Sequence, residues 1–95
     1  SGSDLLKLMY KSIFWSCYNV LRFYLHTIDL PAKNVVNRFE MMFYKYLSGV
    51  MKPRVILSFL KSLIHKLDFT TTDVKKAREL TLGFLYWLKD LVIEL

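Results

Sequence analysis

The stretch that decides the fold is residues 53–67, "PRVILSFLKSLIHKL". Ile56, Leu57, Phe59, Leu60, Leu63, Ile64 and Leu67 fall on one side of a helix drawn through it. Arg54, Ser58, Lys61, Ser62, His65 and Lys66 fall on the other. Apolar residues three and four apart mark an amphipathic helix with one face turned inward. Pro53 suits the first turn, where its missing N–H removes no hydrogen bond. The chain shows no sustained alternation at the period of two that a strand needs, so no sheet is expected.

Reading outward from this helix, the next junction is "DFTTTD" at 68–73. Its Ser/Thr/Asp-type side chains compete for backbone hydrogen bonds and favour caps over helix interiors. Thr71, Thr72 or Asp73 is expected to cap a fourth helix over 73–94. Its main stripe is Val74, Ala77, Leu80, Thr81, Phe84, Trp87, Leu88, Leu91 and Leu95. Upstream, "TIDLPAKN" at 27–34 breaks the periodicity. Asp29 as cap and Pro31 in the first turn predict a second helix over 31–48, buried along Val35, Val36, Phe39, Met42, Phe43, Tyr46 and Leu47. Gly49 then takes the left-handed position that ends a helix. The first helix is expected over 4–26, with Ser3 as cap and Asp4 favourable to its dipole. Leu5, Leu6, Met9, Ile13, Cys17, Val20, Leu21 and Tyr24 share its broad apolar face.

Four such helices joined by short turns predict an all-α fold, an antiparallel four-helix bundle. Up-down-up-down order is the default, and a rearranged four-helix packing is the alternative. Residues 1–3 read as a cloning remnant. Residues 4–95 read as a single helical domain, expected to be a fragment of a longer protein. The longest apolar stretch is broken by Lys11 and Arg22, so no membrane span is expected. Cys17 is the one cysteine, which excludes an internal disulfide and suggests an intracellular protein, nuclear or cytoplasmic.

Catalysis needs convergent polar groups, and none assemble. Cys17 and His26 are nine positions apart, which places them on opposite sides of a helix. His65 shares an outer basic face, and the acidic residues of the last helix are interleaved with Lys and Arg. The three His and Cys residues have no metal-ligand spacing, and the glycines form no phosphate loop. No enzyme, cofactor or metal is expected.

What remains is apolar excess. Hydrophobic residues make up 54% of 95 positions, and a domain this small buries only about 60–65% of its unfolded surface. Some apolar groups must therefore meet a partner or a second copy. On the last helix Leu82, Tyr86 and Ile93 run down the back, away from the main stripe, with Gly83 beside them as if to admit a close backbone. On the first helix Leu8, Trp15 and Tyr18 lie among polar residues, and Trp, Tyr and Arg are enriched at binding hot spots. Both sets point to a protein–protein interaction domain, a scaffold for complex assembly or oligomerisation. It would bind an amphipathic helix or apolar peptide of another protein, or a second copy. The plainer explanation for either set is that these helices are simply buried on two sides. Met41 and Tyr44 read as scattered surface residues.

The formal net charge is +6, and Arg54, Lys61, His65 and Lys66 form a basic face on the third helix. Nucleic acid is the alternative partner, through sequence-independent phosphate contacts. No recognition-helix pattern or stacking platform accompanies these residues, and a solvated face explains them more simply.

Overall fold

The computed structural model of the chain describes residues 2–66 and 68–95. Four α-helices pack against one another: α1 (Gly2–Leu25), α2 (Val35–Met42), α3 (Pro53–His65) and α4 (Thr71–Glu94). A single turn of 3₁₀-helix (Tyr44–Tyr46) follows α2. There are no strands among the described residues. The all-α architecture is the one the periodicity predicts.

Helix α3 follows its sequence reading most closely. Pro53 opens it, and Ile56, Leu57, Leu60 and Leu63 are buried. Leu67, also expected inside, lies outside the described residues. The first turn of α3 has no acidic residue of its own. Glu40 of α2 supplies one: its carboxylate accepts the Arg54 backbone N–H at 2.9 Å and lies 3.7 Å from the Arg54 guanidinium. A carboxylate at a helix N-terminus meets both orphan donors and the positive end of the dipole.

Helix α4 starts two residues earlier than expected. Its cap is Thr70, not Thr71, Thr72 or Asp73. The Thr70 hydroxyl accepts the Asp73 N–H at 3.1 Å, and the Asp73 carboxylate accepts the Thr70 N–H at 3.0 Å. This reciprocal pair is a capping box, and the Thr70 N–H holds the Asp73 carboxyl below its ordinary pKa. Ser3 does not cap α1, because the helix already includes Gly2. At the other end His26 adopts a left-handed conformation (φ 54°). Thr27 N–H donates to the Arg22 carbonyl and His26 N–H to the Phe23 carbonyl. That pair of bonds is the Schellman closure usually made with glycine.

The second helix departs most from expectation. Pro31 and Asp29 do not start it; the chain stays irregular through 27–34, and α2 begins only after Asn34, left-handed at φ 60°. Asparagine tolerates that region, and it sets the turn that proline was expected to set. The helix then breaks at Phe43 into the 3₁₀ turn instead of continuing to Ser48. Gly49 is left-handed (φ 78°), but it does not end a helix: α2 stops at Met42, and Gly49 sits in the turn closed by the Val50 N–H on the Leu47 carbonyl. Two side chains tie these irregular stretches down. The Tyr18 hydroxyl donates to the Leu30 carbonyl at 2.8 Å, and the Trp87 indole N–H donates to the Tyr46 carbonyl at 3.1 Å.

The segment 26–34 sets the path of the chain. It turns back along α1, which brings Leu30 beside Tyr18. Helix α2 then runs forward again, so that Phe43 meets Tyr24 at 5.2 Å between ring centroids. Helix α3 returns antiparallel to it, and α4 reverses once more. Helices α1 and α4 therefore begin at the same end: a Cβ at Gly2 would lie 2.6 Å from the Phe69 ring, just before the α4 cap. Of the two bundle orders, the helix directions are those of the rearranged one.

Gly83 was expected to admit a close backbone. Within the domain it does not, because a Cβ there would meet nothing within 4 Å. The position is ordinary exposed helix, where glycine costs about 1 kcal/mol relative to alanine. Gly83→Ala should raise the free energy of unfolding by about that amount, read from the denaturant midpoint at unchanged slope; a destabilised variant would contradict this placement.

Candidate interaction groove

Helices α1 and α4 do not close completely over the core. Between them lies an apolar cavity of about 510 Å³. From α1 it is lined by Leu5, Leu8, Met9 and Ser12, and from α4 by Arg78, Thr81, Leu82 and Leu85. The two sets share one spacing. Each is an i, i+3, i+4, i+7 quartet, the set that two turns of helix present to a neighbour. Each wall thus spans about 10 Å at 1.5 Å per residue. The floor is buried through Met9 and Thr81, while the lips are open: Leu8 is 61% exposed and Leu82 38%.

Of the residues singled out from sequence, Leu8 and Leu82 are therefore brought together across one groove, although they come from opposite ends of the chain. Tyr86 and Ile93 continue the outer line of α4 beyond Leu82, 62% and 76% exposed. The Lys89 ammonium stands 5.8 Å over the Tyr86 ring. Trp15 is half exposed further along α1 and meets Phe14 and Tyr18 edge-on, each at 5.1 Å. Tyr18 is half-buried and occupied internally by its bond to Leu30, with Arg22 6.0 Å over its ring.

Three groove residues, Leu5, Met9 and Thr81, are inward-facing in the sequence reading, and Leu85 is not singled out there. The signal that would have found them is the matching quartet on the first and last helices. Thr81 has a further peculiarity. It is 4% exposed, and its hydroxyl has no hydrogen-bond partner. A threonine inside a helix commonly bonds the carbonyl one turn back, and an unsatisfied buried hydroxyl is costly.

The basic residues are divided. Arg54 and Lys61 line a smaller cleft of about 260 Å³ with Tyr10, Phe14, Asn34, Asn37 and Leu57. Arg54 is already paired with Glu40 there. His65 and Lys66 are exposed around the end of α3 and do not line that cleft. Met41 and Tyr44, read as surface residues, are exposed, and Met41 borders two shallow hollows, one beside Leu21 and Leu25 and the other beside Tyr44 and Leu47.

Cys17 is fully buried. Burial, helped by the negative charge of Glu40, pushes its thiol up to about 12, so almost no thiolate forms near neutrality. Among the described residues, no helix is long and apolar enough to cross a membrane. No known family model matches this chain, and no curated protein or solved structure is detectably similar to it.

Thr81→Val keeps the side-chain shape and removes the unpaired hydroxyl. In the free domain it should be neutral or stabilising, by up to about 1–2 kcal/mol, measured by equilibrium denaturation. A clear loss of stability would show that the hydroxyl is already bonded within the domain.

Proposed function

We propose that this domain is a non-catalytic helical protein–protein interaction module. It takes an amphipathic helix or apolar segment of another protein into the groove between α1 and α4. The observation that carries this reading is the matched pair of quartets. A partner helix laid on two such walls packs as a third helix, its apolar residues entering where Leu5, Leu8, Leu82 and Leu85 already stand. The exposure of Leu5, Leu8 and Leu82 at its lips supports it, since apolar groups clustered at the surface of a small domain mark contact surfaces; Tyr86 and Ile93 extend the exposed apolar line of α4 beyond the groove.

The nucleic-acid reading has less behind it. Arg54 is engaged by Glu40, and His65 and Lys66 do not join Arg54 and Lys61 in one cleft. A phosphate backbone would find fewer unengaged cations here than the sequence suggested.

Leu82→Asp and Tyr86→Asp separate an interface from a core. Both side chains reach solvent, so each variant should keep its helical circular dichroism and lose no more than about 1 kcal/mol of stability. In parallel affinity captures from the source cells, proteins held by the wild type should be lost with either variant and kept with Arg54→Glu/Lys61→Glu. Unfolding of the Asp variants, or capture lost only with the Arg54/Lys61 pair, would reject the groove as the site.

A further inference from the structure

The groove reading leaves the partner's chemistry open, and the outer line of α4 narrows it. Lys75, Arg78, Leu82, Tyr86, Lys89 and Ile93 are spaced three or four apart and form one continuous stripe along the helix. All six are exposed. The stripe carries three cations, with Leu82 and Tyr86 between them; the acids Glu79 and Asp90 flank it on the side turned away from the groove. Across the groove, α1 presents Asp4 and Lys11 one turn either side of Leu8, so the opposite lip is balanced and adds no net charge.

We infer that the occupant is an amphipathic helix with an acidic flank, donated by a different protein. Resting on the groove reading, its apolar seam would fill the space between Leu8 and Leu82. Its Asp or Glu residues would lie along the α4 side, opposite Lys75, Arg78 and Lys89. Complementary charge of this kind fixes orientation and speeds encounter. Thr81 in the floor is buried with its hydroxyl unpartnered, a cost the free domain carries at this place.

A second copy is the poorer occupant. A two-fold pairing of α4 stripes that sets Leu82 against Tyr86 of the other copy also sets Arg78 near its Lys89, like charge against like. The net charge of +6 adds to that repulsion.

The probe is a display library of single amphipathic helices with a fixed leucine seam and randomised flanking positions, selected on the intact chain at low salt. Sequences retained by the wild type should be enriched in Asp and Glu on one flank. A synthetic peptide of one such sequence should weaken roughly tenfold toward Arg78→Glu/Lys89→Glu and weaken again as salt rises. A Lys-flanked version of the peptide should prefer that reversed variant. Circular dichroism of the reversed variant guards against misfolding, since both altered residues are exposed. Retained helices without acidic bias, whose binding is nevertheless lost with Leu82→Asp, would overturn the acidic-partner inference and leave the groove standing. Helices that bind Leu82→Asp as well as wild type, or no retained helix at all, would overturn both.

Discussion

Phe39 is the side chain on which the packing depends. It is fully buried. Its ring meets Phe43 at 4.9 Å, Phe84 at 6.3 Å and Trp87 at 6.4 Å, all in tilted or edge-on arrangements. It stands on α2, which has only 8 residues. An isolated helix shorter than about 12–15 residues is marginal in water, so α2 owes its existence to tertiary packing. Aromatic pairs in these geometries contribute beyond the area they bury. Through Phe43 the cluster reaches Tyr24 at the end of α1, and through Trp87 it fixes the 3₁₀ turn by the bond to Tyr46. The shortest helix is thus held by one aromatic cluster shared with α1 and α4.

The groove follows from where this aromatic material is placed. The large rings of Phe39, Phe43 and Phe84 are grouped at one part of the core. Between the first halves of α1 and α4 the buried residues are smaller: Leu6, Met9, Ala77 and Thr81. Ala77 and Thr81 give α4 a slender inward face there, and the flanking leucines remain at the lips. The same leucines that make a helix pair amphipathic therefore stay partly in water, at a cost of about 25 cal/mol for each Å² left exposed. A partner helix would remove that cost, and the buried hydroxyl of Thr81 marks a second unfavourable feature at the same place.

Legibility in the sequence tracked how locally each feature is determined. Helix α3 was readable because its apolar spacing, its opening proline and its burial all agree. The left-handed backbone at Gly49 was readable, but it serves a turn after the 3₁₀ segment and not a helix end. The start of α2 was not. Pro31 and Asp29 make a sound local start signal, but the tether from Tyr18 to Leu30 holds that stretch in a return path that no local rule describes. The Thr70 cap was displaced by one residue among three consecutive threonines, a choice settled by the reciprocal bond with Asp73. For the groove, the exposed Leu8 and Leu82 could be found from one helix at a time. Their meeting could not, because it depends on α1 and α4 beginning at the same end. Within the domain nothing approaches Gly83, so its reading as room for a partner's backbone has no counterpart in the packing.

The central claim is that the α1–α4 surface is neither core nor self-contact but is held for a foreign helix. Molar mass by light scattering, across a concentration series at low salt, tests this most directly. The account predicts a monomer throughout, because the cations beside the groove on α4 repel their own copy while leaving the groove open. A dimer that forms at low salt and is abolished by Leu82→Asp would contradict it, and would place a second copy in the groove.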